Sequence, residues 1–243
     1  MAAVAVGWMT WRWQQTLRSH GGEPVLNPVL FGNGPYVMLL AAFGAFQLYF
    51  GSYMFTLALL FQTGLGASPL VAGAMFAPQA VLFSAGSLVG GRLTARFGRR
   101  APACGALLVL AGLTLMAVQL TATDGRLPAS ALIPALALNG TGNGLLSPAI
   151  LGMALSKVES NVAGSASGLL NTAQQAASSL GIALLGMLFF AAAGPGLHAA
   201  HTAMAAQCAA SAVLVALTTV LMWTAGGRPV PARADQVPQA TRH

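Results

Sequence analysis

Acidic side chains are almost missing from this chain: its 243 residues hold four, Glu23, Asp124, Glu159 and Asp235. All four stand outside the long apolar runs, and no Lys, Arg or His lies deep inside one. A proton relay through a membrane requires ionisable groups, so none is encoded here. Cysteine is scarcer still, with Cys104 and Cys208 alone. Both sit inside apolar runs and read as small buried residues rather than as a disulfide or metal site; no metal or cofactor is expected. Charged residues of both signs make up 6% of the chain, against about 25% in a soluble domain, which excludes an ordinary water-soluble fold. The formal net charge of +7 invites a nucleic-acid reading, but no basic domain interleaved with aromatics is present, and nucleic acid is not an expected partner. A secretory signal is missing too, since Arg12 follows the apolar stretch of Met1–Trp13 and no cleavage pattern appears.

What the chain has instead is six long apolar runs, Tyr36–Phe61, Pro69–Leu93, Pro102–Leu120, Leu132–Leu155, Gly168–Ala193 and Ala203–Thr224. Each is about 20 to 26 residues, enough for a helix to cross a hydrocarbon core of about 30 Å. Basic residues alternate between the gaps. Arg12 and Arg18 precede the first run, Arg92, Arg96, Arg99 and Arg100 follow the second, Lys157 follows the fourth, and Arg228, Arg233 and Arg242 follow the sixth; only Arg126 falls on the other side. The positive-inside rule puts the basic gaps and the C-terminus in the cytoplasm, with anionic lipid headgroups beside them. The expected fold is all-α, a polytopic six-helix bundle in a cell (inner, plasma) membrane.

The flanks read differently. Met1–Trp11 is apolar for about ten residues, too short to span a bilayer, and resembles the end of a helix whose beginning is missing, with Trp8, Trp11 and Trp13 at headgroup level. An interfacial amphipathic anchor is the plainer alternative. Residues 1–35 are therefore expected as a helix end plus an irregular cytoplasmic linker through Gly21-Gly22, Asn27-Pro28 and Gly34-Pro35. Residues 36–224 form the bundle, and 225–243 a disordered cytoplasmic tail.

The runs are not chemically alike. Gln47 lies in the first, Gln79 in the second, Asn139 and Asn143 in the fourth, and Asn171, Gln174, Gln175 and Ser178 in the fifth. The last four recur at helical offsets and make one polar stripe. Carboxamides in lipid need partners or water, so these eight residues are the expected lining of a cavity, with inter-helix hydrogen bonding as the competing role. The third and sixth runs, poorer in amides, are expected at the lipid-facing edge. Gly86-x-x-x-Gly90, Gly140-x-x-x-Gly144 and Ala177-x-x-x-Gly181 allow close helix approach, and Pro78, Pro134 and Pro148 are expected to bend the second and fourth helices.

The most specific stretch is Gly90-Gly91-Arg92-Leu93-Thr94-Ala95-Arg96-Phe97-Gly98-Arg99-Arg100. Gly91 is expected to permit close packing and Gly98 a tight turn, while the arginines can reach the negative C-terminal ends of neighbouring helices. This spacing resembles the signature loop of the major facilitator superfamily, except at Ala95, where that family usually has Asp. Gly142-x-Gly144-x-x-x-Pro148 and Ala163-Gly164-x-Ala166-Ser167-Gly168-Leu169-x-Asn171-Thr172-x-Gln174-Gln175 look like the second half of its fourteen-span drug:proton antiporter branch. The resemblance covers about Arg12 to Thr224. It implies the C-terminal half of a proton-coupled multidrug or small-molecule exporter, truncated, with a lipophilic small-molecule substrate held between this half and an N-terminal half that supplies the coupling groups. The first, second, fourth and fifth helices would line the cavity. Two alternatives stand beside it: a self-contained six-span half-transporter acting as a homodimer, and, remotely, an intramembrane serine protease pairing Ser167 with His198 or His201. Against the protease, Ser167 and the histidines lie at opposite ends of the fifth run, and a Ser–His pair needs contact at about 3 Å.

Overall fold

The computed structural model describes residues 29–122, 128–192 and 197–226, and these residues form helices and short connections without a strand. The expectations for the N-terminal helix end with its tryptophans, for Arg126 and for the tail beyond residue 226 lie outside the described residues.

Helix α1 spans Gly34–Leu59 and widens into a π-turn at Leu60–Gly64; α2 spans Pro69–Phe97, α3 Arg100–Ala122, α4 Ile133–Leu155, α5 Ala163–Ala192 and α6 Leu197–Gly226. Five of these (α1, α2, α3, α5 and α6) are long and apolar enough to cross a membrane. The exception, α4, has 23 residues, ample length, but Asn139, Asn143 and its glycines dilute its apolar character. It compensates by being enclosed.

Several boundaries differ from the apolar runs for local reasons. Gly34-Pro35, expected to keep a linker irregular, instead starts α1: Asn33 caps it, accepting from the Tyr36 N–H at 3.1 Å, and proline fits the first turn. The preceding Val29–Gly32 is also a helical turn, with Leu30 buried. Asn33 Nδ2 donates to the Lys157 carbonyl at 2.6 Å, which ties the start of α1 to the α4–α5 connection. Helices α5 and α6 begin before Gly168 and Ala203, because Ser165, Ser167, His198 and His201 interrupt an apolar run without interrupting a helix. Both histidines therefore belong to the first turns of α6 rather than to a loop.

The prolines act unequally. Pro78 breaks α2 at Phe76 into Pro69–Met75 and Ala77–Phe97. Pro134 falls in the first turn of α4, where no N–H is needed, and α4 runs on through Pro148.

Helices α2 and α3 both pack on α4; α5 and α6 both pack on α1; α1 meets α4, and α3 meets α6. Exchanging α1–α3 with α4–α6 leaves this pattern unchanged, the signature of two three-helix repeats. The α2–α4 contact is nearly backbone on backbone. A Cβ on Gly144 would strike the Phe83 carbonyl and one on Gly140 the Gln79 carbonyl, while on the other side of α4 a Cβ on Gly142 would come within 2.6 Å of the Gly105 carbonyl oxygen of α3. Glycine is required there by space alone. Gly181 of α5 meets the Leu48 carbonyl of α1 in the same manner.

The sixth helix departs from expectation. Gln207, Ser211 and Thr218 are buried rather than lipid-facing. Gln207 Nε2 donates to Ser52 Oγ at 3.1 Å and Thr218 Oγ1 to the Ala42 carbonyl at 3.4 Å, both on α1. A peripheral helix still has one inward face, and polar side chains in an apolar medium are turned onto it. Its outer face is apolar, with Val213, Leu217 and Val220 exposed. Cys208 lies in this buried seam and Cys104 is exposed; both are free thiols.

Candidate functional site

A cleft of about 550 Å³ opens among α1, α2, α4 and α5, within the range of small-molecule sites, about 300–1,000 Å³. Helix α1 supplies one wall through Phe46, Gln47, Phe50 and Met54, where the position of Phe46 and Gln47 recurs one turn on at Phe50 and again at Met54, so that one helical face is presented. The opposite wall is α5, with Gln174, Gln175, Ser178 and Ile182 at the same periodicity. Gly51 and Phe55 of α1, Phe83 of α2 and Ser147 of α4 complete the lining; α3 and α6 contribute no residue to it. The walls converge at Gly51, where a Cβ would collide with Ser178. The rings of Phe46, Phe50 and Phe83 form a ladder: Phe46 and Phe50 are stacked at 5.8 Å and 12°, Phe50 and Phe83 at 6.2 Å and 29°. No charged side chain is among the lining residues.

Of the eight residues expected in a cavity, Gln47, Gln174, Gln175 and Ser178 meet in this cleft. The other four do not line it. Gln79 is buried at the α2–α4 contact, its Nε2 3.9 Å from Met54 Sδ. Asn171 is exposed, a turn before the α5 wall. Asn139 and Asn143 are enclosed in the core: Asn143 Nδ2 donates to Asn139 Oδ1 at 2.6 Å and to the Tyr49 hydroxyl at 3.0 Å, and that hydroxyl donates to Asn139 Oδ1 at 3.1 Å. This triad joins α1 to α4 and is inter-helix bonding, the competing role. The phenylalanine ladder has one trace in the sequence, the i, i+4 face shared by Phe46, Phe50 and Met54 next to Gln47; its third ring, Phe83, comes from another helix.

The signature turn sits at the basic end of the bundle. Gly98 ends α2 with φ 57° and ψ −134°, its N–H bonded to the Thr94 carbonyl at 2.8 Å. A side chain at this φ is strained even though space is open around it. Arg99 Nη1 donates to the Trp223 carbonyl at 3.0 Å, and its guanidinium lies 5.3 Å from the Trp223 ring. Trp223 belongs to the last turn of α6, where carbonyls lack helical partners and carry negative partial charge, so one arginine does reach a helix C-terminus. Arg96 covers the Phe97 ring at 5.5 Å; Arg92 and Arg100 are exposed, and Leu93 is half-buried. Gly91 has a different place from the one expected. Its Cβ would meet nothing within 4 Å, whereas one on Gly90 would lie 3.4 Å from Leu145 of α4. A step of one residue turns the side chain about 100° around the helix, which leaves Gly91 in a shallow groove with Ser87, Thr94, Gly152 and Ser156.

Long apolar helices around a cleft of neutral amides and aromatic rings define an α-helical, multi-pass membrane protein of the transporter class. The chain belongs to the Major Facilitator Superfamily, whose family model matches residues 2–182. This is a transporter family and not an enzyme family. The chain is similar to a probable actinorhodin transporter of Streptomyces coelicolor, 33% identical over 194 residues that cover 79% of this chain and 33% of that protein. It is also similar to the puromycin resistance protein pur8 of Streptomyces alboniger, 33% identical over 137 residues (56% of this chain, 27% of that protein). A third relative is the drug efflux pump JefA of Mycobacterium tuberculosis, 29% identical over 176 residues (72% and 34%). The chain thus spans about a third of the length of such relatives, or less.

Proposed function

We propose that this bundle is the C-terminal half of a proton-coupled exporter of lipophilic small molecules in the plasma membrane, and that the cleft is its share of the substrate cavity. The observation that carries this is the cleft itself: four helices converge on it with amides and rings, and it is open on one side. Its outer helices are the least covered of the bundle. In their apolar windows only 17% of α2 and 17% of α5 is buried, against 44% for α1. A second helical bundle laid against these faces would close the cleft, and relatives more than twice as long have room for one. The names of those relatives support a drug-like substrate. No ionisable side chain lines the cleft, so proton coupling falls to the companion bundle. The basic residues of the α2–α3 turn support a cytoplasmic placement of that end and of the C-terminus.

Co-expression tests this. The chain is produced alone, and together with the remaining N-terminal portion of a full-length relative as a separate polypeptide, and efflux of a fluorescent lipophilic dye is followed. Transport is expected only with both polypeptides present. Transport by the purified chain alone, reconstituted in vesicles, would favour the homodimer instead.

A further inference from the structure

We propose that the cleft selects flat, conjugated, uncharged molecules that carry hydrogen-bonding groups at their edge; this rests on the reading of the cleft as the substrate site. Two features set the shape. Phe46, Phe50 and Phe83 are stacked on one another and nearly parallel, and a row of parallel rings beside a cleft favours a flat conjugated partner that can extend the row, since stacked arrangements gain energy beyond the area they bury. The narrowing at Gly51 and Ser178 admits a thin edge better than a globular group.

A third feature sets the polarity. Gln47 is only 5% exposed and lines the cleft with its neighbour Phe46. A carboxamide offers both donors and an acceptor, and one that is nearly buried gains most from a ligand that satisfies it. Gln174 and Gln175 add two more amides across the cleft.

Charge is disfavoured by magnitude. A cation on a phenyl face gains about 0.5 to 2 kcal/mol, while removing an ion from water costs several kcal/mol unless an opposite charge meets it. No acidic residue lines this cleft to meet one.

The test uses the 243-residue chain in lipid nanodiscs, with empty discs subtracted, and three probes: pyrene-1-carboxamide, pyrene, and tetraphenylphosphonium. Saturable binding of pyrene-1-carboxamide is expected. Pyrene should bind about tenfold more weakly for want of edge contacts, and tetraphenylphosphonium should not compete. Phe50→Leu should weaken pyrene-1-carboxamide about three- to tenfold through lost stacking, while Phe50→Tyr, which keeps the ring, should bind as the parent does. Folding of each variant is checked by circular dichroism and gel filtration, and Gln175→Leu serves as an independent cleft variant. Tighter binding of tetraphenylphosphonium that Gln175→Leu weakens would overturn the proposed selectivity and leave the cleft as the binding site. Failure of all three probes to bind saturably, or binding that neither Phe50→Leu nor Gln175→Leu alters, would overturn both.

Discussion

Gly144→Leu is expected to prevent this chain from accumulating as a folded membrane protein. A Cβ at that position falls on the Phe83 carbonyl, and no side chain can move aside because both partners are backbone. Overpacking an ordinary core costs about 1–3 kcal/mol when neighbours can shift. Here α2 and α4 would have to separate, and the Gly140–Gln79 contact one turn away would open with them. Gly152→Leu, on the same helix, is the control, because a Cβ there meets nothing within 4 Å. Yield, monodispersity and thermal midpoint of the solubilised chain decide the matter: Gly152→Leu should match the parent while Gly144→Leu aggregates or is degraded. Equal behaviour of the two would mean that α2 and α4 do not touch at Gly144.

Asn143→Leu should also act on the fold and not on substrate choice. The change keeps the branched shape of the side chain but removes the donor that serves both Asn139 and Tyr49. Bonds between membrane helices average only about 0.6 kcal/mol by double-mutant cycles, with a maximum near 1.7. A buried group left without its partner costs about 1–3 kcal/mol. Since all three members of this triad are buried, an effect in the upper range is expected, seen as a lower thermal midpoint. Tyr49→Phe should destabilise less, and the double variant should lose less than the sum of the two, because both changes break one network. A stable Asn143→Leu protein with altered substrate range would instead place Asn143 in the cavity.

What could be read in the sequence was local. Gly98 was legible as a turn because a positive φ is a property of one residue, and the apolar runs were legible because length and hydropathy alone license a crossing helix. The stripe of Gln174, Gln175 and Ser178 was legible from its spacing, but Asn171 shares that spacing and lies beyond the cleft. Periodicity tells which residues share a face and is silent on what the face meets. Asn139 and Asn143 share a face as surely as the glutamines do, and Tyr49, their partner, is 90 and 94 residues distant in the chain. The same limit explains α6, whose hydroxyls and amide turn inward because each edge helix must bury a face, and composition does not tell which face that is. It also explains the α4 glycines, whose exact partners on α2 and α3 depend on packing that no single segment contains.

The central claim is that the α1–α5 cleft holds the transported molecule. It is tested most directly by efflux measured with the companion N-terminal bundle supplied, comparing Gln174→Leu and Gln175→Leu with Val220→Ala on the outer face of α6, where Val220 is 58% exposed. Losing one amide contact, worth about 0.5–1.5 kcal/mol, predicts a roughly two- to tenfold change in half-saturating substrate for the glutamine variants, at unchanged abundance and with no change for Val220→Ala. Glutamine variants that alter transport only by lowering abundance, or a Val220→Ala effect as large as theirs, would contradict it.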